Sequence, residues 1–224
     1  ESSYKLDLSH EEWLDLTRFE GNANALRLLT QKLEGKREGG FRLSYPVLAS
    51  IVKYPWESSF PQRKKFGFFQ NEKIMYSQIA SEMAIPRVSE NPLAFSRHPL
   101  VYLVEAADDI CYQVMDIEDA HKLGILSSKE VQELYLGFFS TTEDAKWLNT
   151  IHQTLSEVTD ENEQVAFLRA MTIGKLTHLC SKAFENSYHA IMQGQEVDPL
   201  IKQLDSTGNK ALQAIKKVSV EQVY

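Results

Sequence analysis

One stretch constrains this chain more than any other. Residues 98–120 run His98-Pro-Leu-Val-Tyr-Leu-Val-Glu-Ala-Ala-Asp-Asp-Ile-Cys-Tyr-Gln-Val-Met-Asp-Ile-Glu-Asp-Ala120. The apolar residues Leu100, Val104, Ile110 and Val114 predict one buried helix. Yet the same helix carries Glu105, Asp108, Asp109, Asp116, Glu118 and Asp119. A core helix normally excludes carboxylates, because an unpaired buried charge costs several kcal/mol. Asp108, Tyr112 and Asp116 stand at i, i+4 and i+8, forming one slanted stripe about 12 Å long. A carboxylate, a phenol and a second carboxylate on one stripe suit a metal-and-ligand wall. They also suit a solvated helix end beside an ordinary core tyrosine, and spacing alone does not decide between the two.

At 224 residues the chain can bury a sizeable core as one or two domains, and its 43% hydrophobic and 25% charged residues are ordinary for a globular protein. No apolar run approaches the roughly 20 residues of a membrane span, and the Glu1-Ser-Ser-Tyr-Lys5 start has no signal-peptide character. Cys111 and Cys180 fall in apolar helical patterns and are expected to be reduced core residues of an intracellular, cytoplasmic protein. A net charge of −7 argues against broad nonspecific nucleic-acid binding, while leaving room for a local basic patch.

The periodicity is helical throughout. Residues 8–34 are expected as one helix, with a Ser9/Glu12 capping box and Trp13, Leu16, Leu26, Leu29 and Leu33 as its apolar spacing. Gly35 to Gly40 breaks it. A short helix follows over 43–53, opened by Ser44, then a loop over 55–70, a helix over 71–83 and a connection over 84–97 containing Pro86 and Pro92. After the long helix come one capped by Ser127 or Ser128 and running to about Phe139, one over 142–158, and a long buried one over 161–192. A turn at 194–199 precedes a more polar helical end. No alternation of period two lasts long enough to predict a sheet, so the class is all-α, divided into 1–125 and 126–224.

Four segments, in order, carry a resemblance: Phe19-Glu-Gly-Asn-Ala-Asn-Ala-Leu-Arg27, Tyr45-Pro-Val-Leu-Ala-Ser-Ile-Val-Lys-Tyr-Pro-Trp56, Lys64-Lys-Phe-Gly-Phe-Phe69, and Glu105-Ala-Ala-Asp-Asp-Ile-Cys-Tyr112. Together they resemble the deoxyguanosine triphosphate triphosphohydrolases, a branch of the His-Asp (HD) metal-dependent phosphohydrolases. Leu168-Arg-Ala-Met-Thr-Ile-Gly-Lys-Leu176 is similar to a later helix of the same enzymes. The resemblance implies a multi-helix HD-type core that hydrolyses a deoxynucleoside triphosphate, dGTP above all, to the nucleoside and intact tripolyphosphate.

It also implies site residues. Asp108 matches the last ligand of a divalent metal ion such as Mg or Mn. Tyr112 and Asp116 match residues that pack on the deoxyribose and accept from its 3′-hydroxyl. Lys53, Tyr54 and Lys65 lie in the motifs that supply phosphate contacts, and Asn22 matches an asparagine there. A triphosphate carries about four negative charges and needs cations beyond a metal, which fits these residue types. Family members form multimers, so homo-oligomers are expected, with single-stranded DNA as an effector compatible with the resemblance.

One departure matters. None of the histidines at 10, 98, 121, 152, 178 and 189 is followed by aspartate, so the His-Asp pair of the family is absent. The chain is therefore expected to be an internal piece of a longer enzyme that is inactive and binds metal poorly by itself. The alternative is a regulatory protein that senses dNTPs or DNA ends with a degenerate site. His178 and His189 are expected to be structural, Asp109 to orient a neighbour or pair with a cation, and Arg97 and His98 to start the long helix.

Overall fold

The computed structural model describes residues 7–32, 34–35 and 40–223. The Glu1–Lys5 start, Leu33 and most of the Gly35–Gly40 break lie outside the described residues. The fold is all-α, with helices α1 (His10–Thr17), α2 (Gly21–Thr30), α3 (Tyr45–Ile51), α4 (Lys73–Glu82), α5 (Pro99–Lys122), α6 (Ser128–Leu136), α7 (Ala145–Glu157), α8 (Glu161–Met192) and α9 (Ser206–Val218). A two-stranded antiparallel hairpin, β1 (Arg87–Glu90) and β2 (Leu93–Phe95), stands between α4 and α5. The residues form two compact units, Glu1–Val104 with His189–Val197, and Glu105–Tyr188 with Asp198–Tyr224.

Two sequence expectations give way here. The single helix over 8–34 is two helices. Ser9 and Glu12 make the expected capping box, but the chain leaves α1 at Arg18, and Glu20 takes up extended backbone and caps α2 through the Asn22 N–H. Glycine is a poor helix former, so Gly21 serves better as the first residue of a new helix than as the interior of a long one. Trp13 and Leu16 are consequently exposed rather than core. The connection over 84–97 contains the hairpin, turned at a cis Asn91–Pro92 bond.

In the first unit the core gathers Leu26, Leu48, Ala49, Val52, Phe68, Tyr76, Ile79, Leu93 and Phe95, with Phe68 stacked on Tyr76 at 5.0 Å. A neighbouring aromatic cluster joins Ala23, Trp56, Phe66, Phe69 and Ala94, with Tyr54 and Phe60 packed on it.

The second unit is organised around the 161–188 part of α8, whose Val165, Leu168, Thr172, Leu176 and Ala183 are buried at helical spacing, as expected. His178 and His189 lie on the exposed side of α8, away from its buried stripe. Two ion pairs brace this unit. The Arg169 guanidinium donates to Glu118 at 2.5 Å, and the Lys175 ammonium donates to Asp144 at 2.5 Å, with both partners of the latter pair buried. Asp144 also accepts from the Ser140 N–H, which fixes the turn between α6 and α7.

Candidate functional site

The phosphate-type residues are positioned by backbone pairing. The segment Pro55–Glu57 runs antiparallel beside β2: Phe95 N–H donates to Pro55 O (2.8 Å), Trp56 pairs with Ala94, and Glu57 N–H donates to Leu93 O (3.1 Å). The buried Glu57 carboxylate locks this register by accepting from the Leu93 N–H at 2.6 Å and from the Gln70 amide, with Lys73 as its counter-charge. Continuing the register outward places Arg97 opposite Lys53, so Arg97 arrives beside Tyr54.

A second segment comes in under the same tyrosine. Phe66 and Phe68 are both buried, and Gly67 passes so close that a Cβ there would sit 2.3 Å from Tyr54 O and 2.6 Å from a Val52 methyl. Only glycine permits that approach. Trp56 Nε1–H donates to Lys65 O at 2.6 Å, fixing the backbone from which Lys65 projects.

Three cations therefore surround one phenol ring. Lys65 Nζ lies 5.5 Å from the Tyr54 ring centre, Lys53 Nζ 5.9 Å and the Arg97 guanidinium carbon 6.0 Å. Arg97 also stands 5.6 Å from the Tyr102 ring. Cations gathered on aromatic faces gain from the ring quadrupole. Lys53, Tyr54 and Lys65 are thus brought together as a group. Arg97 joins them, beyond the helix-start role expected for it; its signal was the strand pairing, which a three-residue strand does not reveal in sequence.

Asn22 is held differently. Its side-chain amide donates to Glu20 Oε1 at 2.5 Å, within the cap of α2.

The long helix does not bury the stripe. Asp108 is exposed, Tyr112 is 65% exposed and Asp116 is half-buried. The buried carboxylates are instead Glu105 and Glu118. Burial pushes the Glu118 carboxyl up, but hydrogen bonds and charge from Arg169 and Lys122 outweigh it and hold the group below its ordinary value. Cys111 is exposed beside Tyr112, contrary to its expected core position, because it lies on the same outward face at i+3 from Asp108. Leu100, Leu103, Val104 and Met115 are also exposed, so this face of α5 is mixed apolar and acidic rather than merely solvated. Asp109 points elsewhere: its charge, after burial, helps raise the Cys180 thiol to about 11.

His98 begins α5. Its Nδ1 accepts from the Leu100 N–H at 3.3 Å, and burial pushes its pKa down, so it acts as a neutral helix-start residue, as expected. Among the described residues no group of three or more His, Cys, Asp or Glu side chains could hold a metal ion. Asp108 alone offers one carboxylate, and the described residues do not fit a divalent ion unaided.

An all-α HD-like fold that gathers three cations at one phenol ring defines the class of this chain. The particular kinship is given by sequence. No protein-family model matches the chain. It is 32% identical over 223 residues to a Pseudomonas aeruginosa protein named deoxyguanosinetriphosphate triphosphohydrolase-like, covering 97% of this chain and 49% of that one. It is 40% identical over 132 residues to a Synechocystis protein of the same name, covering 54% of this chain and 30% of that one. A Yersinia enterocolitica deoxyguanosinetriphosphate triphosphohydrolase is 30% identical over 235 residues, covering 94% of this chain and 42% of that one. The chain therefore resembles the dGTP triphosphohydrolases along nearly its whole length and spans about half the length, or less, of these relatives. No helix of the described residues is long and apolar enough to cross a membrane.

Proposed function

We propose that this chain is the nucleotide-holding part of a deoxynucleoside triphosphate triphosphohydrolase, one that in the whole protein converts dGTP and water to deoxyguanosine and tripolyphosphate. The convergence of Lys53, Lys65 and Arg97 on the Tyr54 ring carries the reading. Their common scaffold spares the cost of assembling the three cations around a triphosphate on binding. In the same reading Asn22, whose amide is held by Glu20 in the cap of α2, contributes to the phosphate contacts.

In the same reading, Tyr112 offers a phenol face to the deoxyribose and Asp116 accepts from its 3′-hydroxyl. A ring packed against C2′ leaves no room for a ribose hydroxyl, which favours the deoxy sugar. Asp108 contributes one carboxylate to a divalent ion, Mg or Mn, whose other ligands are supplied outside the described residues. Such an ion would supply charge stabilisation at the reacting phosphate. By itself the chain neither turns over dGTP nor retains the metal. The free thiols suit the cytoplasm, where dNTPs are consumed, and assembly as homo-oligomers with single-stranded DNA as an effector extends the same reading.

Titration with inorganic tripolyphosphate tests the reading directly. Saturable binding that weakens steeply with added salt supports it; absence of binding at millimolar ligand in low salt sinks it.

A further inference from the structure

A cavity of about 590 Å³ opens in the first unit between the end of α2, the 42–43 segment, α3 and α4. That size lies within the range that encloses a small ligand, and none of Lys53, Tyr54, Lys65 or Arg97 lines it.

Its walls divide by chemistry. Leu43, Leu48, Ile74 and Met75 form an apolar side, on which Leu48 is buried and Ile74 is 83% exposed. A methionine on such a wall adapts to the shape of an apolar guest. The polar lining supplies donors from the Arg42 guanidinium, the Asn71 and Gln78 amides and the Tyr45 hydroxyl. The Thr30 hydroxyl is already engaged, donating to Leu26 O at 2.8 Å. Among the described residues no carboxylate lines the cavity, in a chain whose net charge is −7, and Arg42 is the single charged group there.

The backbone holds Arg42 in place against its own preference. Gly40 passes so close to α2 that a Cβ would sit 2.3 Å from Leu29 O, and the Phe41 N–H donates to the same carbonyl at 3.0 Å. Arg42 then takes a left-handed φ of 56°, which disfavours any residue with a side chain. Glycine would suit that turn better; what arginine adds is a cation on an otherwise uncharged lining.

We propose that this cavity binds a small amphipathic carboxylate, such as a medium-length fatty acid, with its chain against the apolar side and its carboxylate on Arg42. A guanidinium donates two parallel N–H bonds to a carboxylate. The apolar wall holds the chain through the area removed from water. An ammonium headgroup in the same place would meet a like charge. Nothing in this recognition uses the cations around Tyr54, so it is independent of the triphosphate reading.

Calorimetric titration with octanoate, octylammonium and butyrate at low salt tests it. Octanoate is expected to saturate, with octylammonium and butyrate each at least about tenfold weaker, the first for its charge and the second for its short chain. Arg42→Gly should weaken octanoate about tenfold without lowering the melting temperature, because glycine accepts the left-handed backbone. Ile74 is exposed, so I74D should also keep the fold; its carboxylate should weaken octanoate and strengthen octylammonium. Tripolyphosphate at saturation should leave octanoate affinity unchanged. Failure of octanoate to saturate, equal binding of octylammonium, indifference to both variants, or competition by tripolyphosphate would each overturn the proposal. A leucine-rich acidic peptide that binds more tightly than octanoate would overturn it in favour of a protein partner. Tripolyphosphate binding without octanoate binding would defeat this site alone and leave the triphosphate reading standing.

Discussion

The Lys65 ammonium stands 5.5 Å from the centre of the Tyr54 ring, on a backbone whose carbonyl is tied to the Trp56 indole at 2.6 Å. That tether fixes the backbone from which the exposed Lys65 side chain reaches the ring. Lys65→Ala is therefore expected to weaken tripolyphosphate binding by about tenfold to a hundredfold, the scale of one lost charge-assisted contact. Lys64→Ala, one residue away on the exposed loop, should change it less than about threefold. Calorimetry on both variants at low salt checks this, and equal effects at the two positions would contradict the placement.

Gly67 should tolerate no side chain. A Cβ at this position meets Tyr54 O at 2.3 Å and Tyr54 C at 2.9 Å, both backbone atoms that cannot swing away. Gly67→Ala is expected to lower stability by about 1–3 kcal/mol, the usual cost of overpacking, and to weaken tripolyphosphate binding as Tyr54 is pushed off its cations. Denaturant melts of G67A read the first effect and titration the second. A variant with wild-type stability would show that the two segments do not approach as described.

Glu118 links α5 to Arg169 of α8 within the second unit, with Lys122 as its second partner. Glu118→Gln removes the charge and leaves a partly buried guanidinium short of its partner, at a cost of about 2–3 kcal/mol at neutral pH. The sign with pH follows from the depressed carboxyl. Its contribution is present above the ordinary glutamate value of 4.5 and is lost as the pH falls through the lower folded value. The gap between wild type and E118Q should accordingly close as the pH falls from 4.5 through that lower folded value. A gap that persists unchanged in acid would mean that packing, not charge, carries the loss.

The two thiols should separate cleanly. Cys111 is exposed, whereas Cys180 is buried and its thiol is pushed up to about 11, first by burial and then by the Asp109 charge. At neutral pH a thiol reagent is expected to label Cys111 in the native protein and Cys180 only on unfolding. Mass spectrometry after short labelling distinguishes them. Labelling of Cys180 at the rate of Cys111 would contradict its burial.

The helices were legible because their signals are local. The Ser9/Glu12 box and the cap at Ser127 mark starts where the structure has them, and the stripe Val165, Leu168, Thr172, Leu176 and Ala183 spans the buried side of α8. What escaped was non-local. Three-residue β2 is buried on account of its neighbours at 55–57, not by alternation, so neither the hairpin nor the arrival of Arg97 beside Tyr54 could be read from periodicity. The exposure of Cys111 has the opposite origin: Leu100, Leu103, Val104 and Met115 share its outward face, so the apolar pattern there does not mean burial. Motif order marks Lys53, Tyr54 and Lys65 in the sequence, and the close approach of Gly67 to Tyr54 shows why no side chain fits at that position.

The most direct measurement is product analysis of the gene-length protein, including whatever adjoins this chain, incubated with dGTP and manganese. Deoxyguanosine and intact tripolyphosphate in equal amounts are the expected products, with Asp108→Ala and Lys65→Ala both reducing the rate. Release of single phosphate or pyrophosphate, or tight nucleotide binding with no turnover of any deoxynucleoside triphosphate, would contradict the proposed function.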